Sequence, residues 1–513
     1  MQDAELILGL LIAVAALVTI ARRLDIAYPI FLVIGGLVLG LVPGVPRIQV
    51  DPDVIFLLVL PPLLYIAAYF TPVQGLRANL RAVASLAVGL VIVSAGAVAI
   101  VAHALIPSLP WSVAFVLGAI VAPPDAIAAT AVSSRLAVPR QIVTILEGES
   151  LLNDATALTT YAIALTVAAG SVFSPSSAVV RFTTTLLGGI VIGLLVGWVI
   201  ARIRTSLQDT PVEMTISLLT PYAAFLPAER FGASAVIATV TTGLWLGQRG
   251  SHIMGADARL TGRALWDTIT FLLNGFVFIV MGLEVPLLLR TLTLEAALRL
   301  VGIGLLVTLV LLVVRMLWLA ATVLLPGRLR QREDAATCTF VIGWAGMRGV
   351  VSLAAALALP LALPGREALV IITLTVIVAT LLGHGLTLPW IIRRLDLGQD
   401  TGRREEEARA RAELLDAATR RIDELYPVWP GHRPLLDQLR ETYRHRSEHV
   451  ERARDPSHDG EDRELIEHRE IRRTVIDSER EALLRLRTEG EINDQVLRDL
   501  ERELDFEERR MDA

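Results

Sequence analysis

Thirteen apolar runs follow one another between residues 5 and 392, and this pattern limits the possible folds more than any other feature. A bilayer is crossed by roughly 20 apolar residues, fewer where neighbouring helices shield the segment. On that ruler the spans fall at 5–20, 28–42, 54–70, 82–106, 111–133, 142–169, 182–201, 212–227, 233–248, 265–288, 297–325, 336–360 and 368–392. Backbone polar groups in hydrocarbon must be satisfied within the segment, so runs of this length dictate helices. The run at 212–227 is the least regular, because "LLTPYAAFLP" is short and interrupted by prolines. The reading is an all-α polytopic membrane protein of about 13 transmembrane helices.

Charge is segregated along the chain. Charged residues make up 19% of the whole, below the roughly one quarter of an ordinary soluble chain. Residues 395–513 nevertheless hold 23 of the arginines and 33 of the 52 acids. An apolar domain, 1–395, therefore precedes a charged tail, 396–513, in which "AELLDAATRRIDEL" has the apolar spacing of amphipathic helices. "ARDPSHDGED", 453–462, reads as a loop. With the N-terminus outside, sixteen arginines of the apolar domain, among them Arg22, Arg140, Arg202, Arg204 and Arg393, fall in cytoplasmic loops and six in outer loops. Arginine-rich loops stay in the cytoplasm, so the tail is placed there too. Two arginines, Arg315 and Arg348, lie inside spans. "MQDAE" lacks the basic start of a secretory signal, so the first run is expected to be a retained span. Cys338, the single cysteine, is expected to pack inertly in an apolar run.

Two spans contain what a membrane helix should avoid. In "FVLGAIVAPPDAIAATAV", Pro123 and Pro124 precede Asp125. Each proline removes a backbone donor and crowds the preceding turn, so a break is expected. Freed carbonyls are tolerated only inside protein or beside water. In "GWAGMRGVVSLAAALALP", Gly343, Gly346 and Gly349 surround Arg348, a charge that needs a partner or a water cavity. Each break belongs to the next-to-last span of a six-span block. This is the pattern of two inverted six-helix repeats with two crossed discontinuous helices, an architecture that puts a site near the midplane.

The sixth span opens with "EGESLLNDATAL". On a helix, residues three, four and seven apart share a face, so Ser150 neighbours Asp154 and Glu149 neighbours Asn153. Glu147 lies toward the cytoplasmic end, at a funnel. Asp154 stands about twelve residues into the span, where a lone ionised carboxylate is costly. It can hold a proton or a cation, but not both, and that competition is the minimum chemistry of cation/proton exchange. Hard oxygen ligands suit Na⁺, by the logic of other hard cations. Asp154, Asp125, Ser150 and a freed carbonyl at Pro124 can supply them. Glu149 is expected to pair with Arg348. Thr156, Thr159 and Thr160 are expected to bond back into their own helix. Asp267 and Asn274 in "LWDTITFLLNGF" either line a cavity or hydrogen-bond between helices, the latter being favoured.

These residues resemble those of the cation/proton antiporter-1 family, the sodium/proton exchangers. "EGESLLNDATAL" is similar to the family's Asn-Asp signature, and "GWAGMRGVVSLAAALALP" to its Arg-bearing broken helix. The resemblance covers about residues 5–395 and is closest to bacterial members. It implies thirteen spans, a homodimer, and a core that moves against a dimerisation domain, in a role in pH homeostasis. It assigns Asp154 as the carrier of ion and proton, with Asn153 as its partner. Ser150 and Asp125 would ligate or orient the ion, and Glu149 and Arg348 would form a structural pair. It also implies electroneutral exchange of Na⁺ or Li⁺ for H⁺ at a bacterial inner membrane. Where the family usually has Thr-Asp-Pro, this chain has Pro124-Asp125-Ala126 and so lacks the threonine hydroxyl. Partners are monovalent cations, protons and lipid, with no nucleic acid and no cofactor. The rival readings are K⁺/H⁺ exchange on the same fold, and a channel or sensor. No Ser-His-Asp pattern, metal-ligand cluster or nucleotide loop is present, and His384 has no evident partners, which argues against an enzyme.

Overall fold

The computed structural model describes residues 2–24, 28–42, 55–125, 138–207, 209–290, 292–323, 335–360, 362–395, 401–452, 463–489, 491 and 494–512. Among these residues every regular element is helical. Contacts divide the chain into two compact units, Met1–Gln399 and Asp400–Ala513.

The main helices of the first unit are α1 (Gln2–Arg23), α2 (Tyr28–Leu41), α3 (Leu60–Phe70), α4 (Leu80–Leu105), α5 (Trp111–Val121), α6 (Arg140–Ala168) and α7 (Pro175–Arg204). They continue as α8 (Thr210–Arg230), α9 (Ala235–Gly247), α10 (Ala256–Leu289), α11 (Leu294–Val323), α12 (Ala335–Trp344), α13 (Val350–Leu357) and α14 (Arg366–Leu395). Among the described residues six helices are long and apolar enough to cross a bilayer: α4, α6, α7, α11, α14 and the Ala256–Pro286 part of α10. Each of the thirteen expected spans contains helical residues. The part of the 111–133 run beyond Asp125 lies outside the described residues, as does the tail segment 453–462.

α8 runs unbroken through Pro221 and Pro227, where the sequence suggested an interrupted span. Prolines are tolerated in membrane helices where the surrounding protein accommodates the freed backbone, and Pro221 is buried among its neighbours.

Close helix packing relies on glycine, as in lipid, where van der Waals contact rather than water exclusion joins helices. At the crossing of α2 and α10, a Cβ on Gly36 would strike the Ile279 carbonyl and one on Gly282 the Val33 carbonyl. Gly243 and Gly247 of α9 lie against the backbone of α3 at Tyr65 and Tyr69. Gly118 of α5 lies against Ala95 of α4. These contacts hold α3, α5 and α10, which carry cavity walls or helix breaks, at backbone distance from their neighbours.

Arg204 is not a loop residue. It ends α7, is buried, and donates to the Glu213 carbonyl of α8. Cys338 is buried in the apolar core, as expected. The second unit contains α15 (Thr401–Leu425), α16 (Arg433–Arg452), α17 (Arg463–Thr488) and α18 (Asp494–Asp512). Its ion pairs include local, solvent-exposed ones, such as Arg411–Glu407 at 2.8 Å along one helix face, one from α15 to α16, Arg440–Asp423 at 3.5 Å, and others from α17 to α18, such as Arg480–Asp505 at 2.7 Å.

Candidate cation site

Two interruptions meet inside the first unit. α5 stops at Val121, and Ala122 to Asp125 are non-helical. The prolines explain the stop, since neither can donate to a preceding turn. Between α12 and α13, residues 345–349 are also non-helical. The two stretches touch where the Asp125 amide donates to the Met347 carbonyl at 2.6 Å.

Each half-helix that ends here leaves unsatisfied carbonyls at its negative pole, and an arginine meets each set. Arg348 donates from Nε to the Val121 carbonyl at 3.1 Å and from a terminal nitrogen to the Ala122 carbonyl at 3.5 Å, both at the end of α5. It also donates to the Gly346 carbonyl. Arg315 of α11 donates from Nε and Nη2 to the Ile342 carbonyl of α12, at 3.3 and 3.0 Å. Gly346 leaves room for both guanidinium groups, because a Cβ there would meet the Arg315 side chain.

The expected pair of Glu149 with Arg348 is not formed. Glu149 pairs with Arg315 instead, through a two-pronged contact of 2.5 and 2.7 Å in which both side chains are 1% exposed. The reason is geometric. Arg348 is committed to the carbonyls freed by the break, whereas Arg315 approaches from α11 with a free guanidinium edge facing α6. In the sequence Arg315 is a charge inside a span with no partner assigned to it. The rule that such a charge needs one was the available signal.

The carboxylate of Asp125 points to the start of α13, where the Val350 amide donates to Oδ2 at 3.2 Å. A helix N-terminus favours a negative group at this position. Gly349 is required there, since a Cβ on it would land on the Asp125 carboxylate. On α6, Asn153 is fully buried and its amide donates to the Pro124 carbonyl at 2.7 Å. That carbonyl, expected as an ion ligand, thus has one lone pair engaged. Thr156, Thr159 and Thr160 bond back to Leu152, Ala155 and Thr156 of their own helix, as expected. Asp154 is 6% exposed, and among the described residues its carboxylate has no hydrogen-bond donor and no ion-pair partner.

Asp154, Asp125, Ser150, Pro124 and Glu147 all line one cavity of about 510 Å³. Liquid water takes about 30 Å³ per molecule, so the space has room for a small ion together with its water. Most of the wall is apolar, from α3, Phe271 and the first turn of α13. Asp267 and Asn274 line it as well, and Asn274 also makes the interhelical hydrogen bond that the sequence favours, to the Tyr28 hydroxyl of α2. Glu149, Asn153 and Arg348 stand behind the wall. His384 is buried, with its ring 5.1 Å from that of Trp344. Among the described residues no group of three or more His, Cys, Asp or Glu could hold a resident metal.

The fold is shared with the sodium proton antiporter MjNhaP1 of Methanocaldococcus jannaschii, with a TM-score of 0.59 and 21% identity over 78% of this chain and 99% of that one. An uncharacterised Na⁺/H⁺ exchanger of Mycobacterium tuberculosis is 35% identical over 98% of this chain and 95% of its own length. A sodium, potassium, lithium and rubidium/H⁺ antiporter of Bacillus subtilis is 30% identical over 76% of this chain and 61% of its own. The family model described as "Sodium/hydrogen exchanger, transmembrane" matches residues 9–394. The chain is a multi-pass membrane protein and belongs to the sodium/hydrogen exchanger family.

Proposed function

We propose that this protein exchanges Na⁺ or Li⁺ for H⁺, one for one, by alternating access at Asp154. The observation that carries the reading is the isolation of Asp154. It is a buried carboxylate on a cavity wall, with no donor or cation of its own among the described residues. An uncompensated buried charge is costly, so the site favours a bound proton or a bound cation over neither. Charge balance supports the stoichiometry. Three acids at the crossing, Asp125, Glu149 and Asp154, face two arginines, Arg315 and Arg348. One added positive charge neutralises the set, whether it arrives as H⁺ or as Na⁺.

Asp125, Ser150 and the second lone pair of the Pro124 carbonyl would complete the cation's oxygen shell, and Asn153 would hold that carbonyl in place. Glu147 would serve the cytoplasmic funnel. Thirteen spans with the N-terminus outside, an inner-membrane location, a cytoplasmic tail and a homodimer built on separate core and dimerisation subdomains complete the proposal. The arginine bias of the loops supports the orientation.

A second reading, K⁺/H⁺ exchange at the same site, is favoured by the relative from Bacillus subtilis, whose name includes potassium. Both are tested by placing the purified protein in liposomes, imposing a pH gradient, and adding Na⁺, Li⁺ or K⁺ with the membrane potential clamped at several values. Gradient collapse on cation addition at a rate independent of potential is expected. Steep dependence on potential would refute one-for-one exchange, and a response to K⁺ alone would replace the first reading with the second.

A further inference from the structure

The cavity has a second polar wall. On α6, Glu147, Ser150, Leu151 and Asp154 fall three, four and seven residues apart and line it together. On α10, Asp267, Thr270, Phe271 and Asn274 repeat the same spacing and line it too. This spacing puts each set on one helix face. The order of chemistry also matches: an acid, a hydroxyl, an apolar side chain, then a carboxylate or amide. Both stripes become more buried in the same direction. Asp267 is exposed, Thr270 is half-buried and Asn274 is 1% exposed, while Glu147 and Ser150 are half-buried and Asp154 is 6% exposed. α6 packs chiefly on α4 and α5, and α10 chiefly on α2, so neither helix is the other's main neighbour.

At the deep end, the amide of Asn274 meets the Tyr28 hydroxyl of α2, and its Oδ1 has no donor among the described residues. A buried carbonyl oxygen without a donor is costly unless something electropositive visits it. We propose that Thr270 and Asn274 form the second wall of the cation path and set cation selectivity. Their neutral oxygens replace water on an ion bound at Asp154. The proposal rests on the exchange reading above. Neutral oxygens suit this task, because they strip hydration without adding charge to a balanced site.

The test is exchange in liposomes by wild type, Asn274→Leu, Asn274→Asp and Thr270→Val, with KM and kcat measured separately for Na⁺, Li⁺ and K⁺. Loss of one neutral ligand is expected to raise the cation KM about tenfold in Asn274→Leu, for roughly 1.4 kcal/mol, with kcat little changed. Thr270→Val should move KM in the same direction, and the order among the three cations should change in both. Asn274→Asp keeps an oxygen and adds charge, so its KM should stay at or below the wild-type value. If Asn274→Leu does not fold, Asn274→Asp and Thr270→Val decide. KM values and cation order unchanged in the folded variants would overturn the proposal, as would losses confined to kcat or to thermal stability. A wild type without cation-dependent exchange removes the function itself. An active wild type silenced by Asp154→Asn, with unaffected α10 variants, removes only this inference.

Discussion

Glu149 and Asp154 sit five residues apart on α6, both buried, and their surroundings differ in kind. Glu149 meets Arg315 through two short contacts that no water or ion needs to complete. Asp154 faces a cavity and meets no cation among the described residues. Burial alone therefore does not identify a transport residue. What separates them is whether the protein supplies the countercharge permanently or leaves it to a visitor.

The comparison is broken most severely at Asp154. Asp154→Asn removes the exchangeable charge, and cation-dependent proton flux in liposomes should fall to background while the protein elutes from size exclusion as wild type does. Retained flux would end the assignment.

Glu149→Gln should act on stability instead. It leaves Arg315 buried and uncompensated, at a cost of about 3–5 kcal/mol, and thermal melting should fall accordingly. Removing both partners together, Glu149→Gln with Arg315→Met, should recover part of that loss, because the pair is coupled. Full stability in Glu149→Gln, with cation affinity lost, would place Glu149 in the site rather than behind it.

A subtler change tests the crossing. Gly349→Ala forces a methyl group onto the Asp125 carboxylate and should cost about 1–3 kcal/mol of its hydrogen bonding. Exchange should slow while the Glu149–Arg315 pair keeps the fold intact. Unchanged kinetics would show that Asp125 need not be held by α13.

The smallest effect belongs to the tail, where charges are solvated. The Tyr426 hydroxyl donates to Asp437 at 2.5 Å. This hydrogen bond pushes the phenol above its ordinary value, since only the neutral form can donate. A raised phenol gives a contribution present below about pH 10 and lost as pH climbs through the raised value. Tyrosinate absorbance in alkaline titration should lose one late-titrating phenol, and no other, in Tyr426→Phe. Indistinguishable titrations would refute the contact.

Much of the site could be read without coordinates. Proline chemistry located the end of α5, and glycine clustering with a lone arginine located the gap between α12 and α13. Helical spacing put Ser150 and Asp154 on one face. Partners that come from distant segments are not legible in the sequence. Arg348 and Arg315 are both lone charges in apolar runs, and the sequence favours Arg348 for Glu149, whereas the structure pairs Glu149 with Arg315. Nothing local distinguishes an arginine that caps carbonyls from one that meets a carboxylate. Pro221 and Pro227 likewise look like breaks, yet α8 passes through them.

Sequence alone makes the chain helical and membrane-spanning, adds a charged tail, and marks the two breaks beside Asp125 and Arg348. Those properties follow from hydrophobicity and backbone donors, which act within a few residues. Helix packing settles which carboxylate keeps a permanent partner, that Gly349 makes room for Asp125, and that α10 supplies a second wall to the cavity. These depend on which helices cross, and charge compensation over a few ångströms between segments more than a hundred residues apart leaves no local trace.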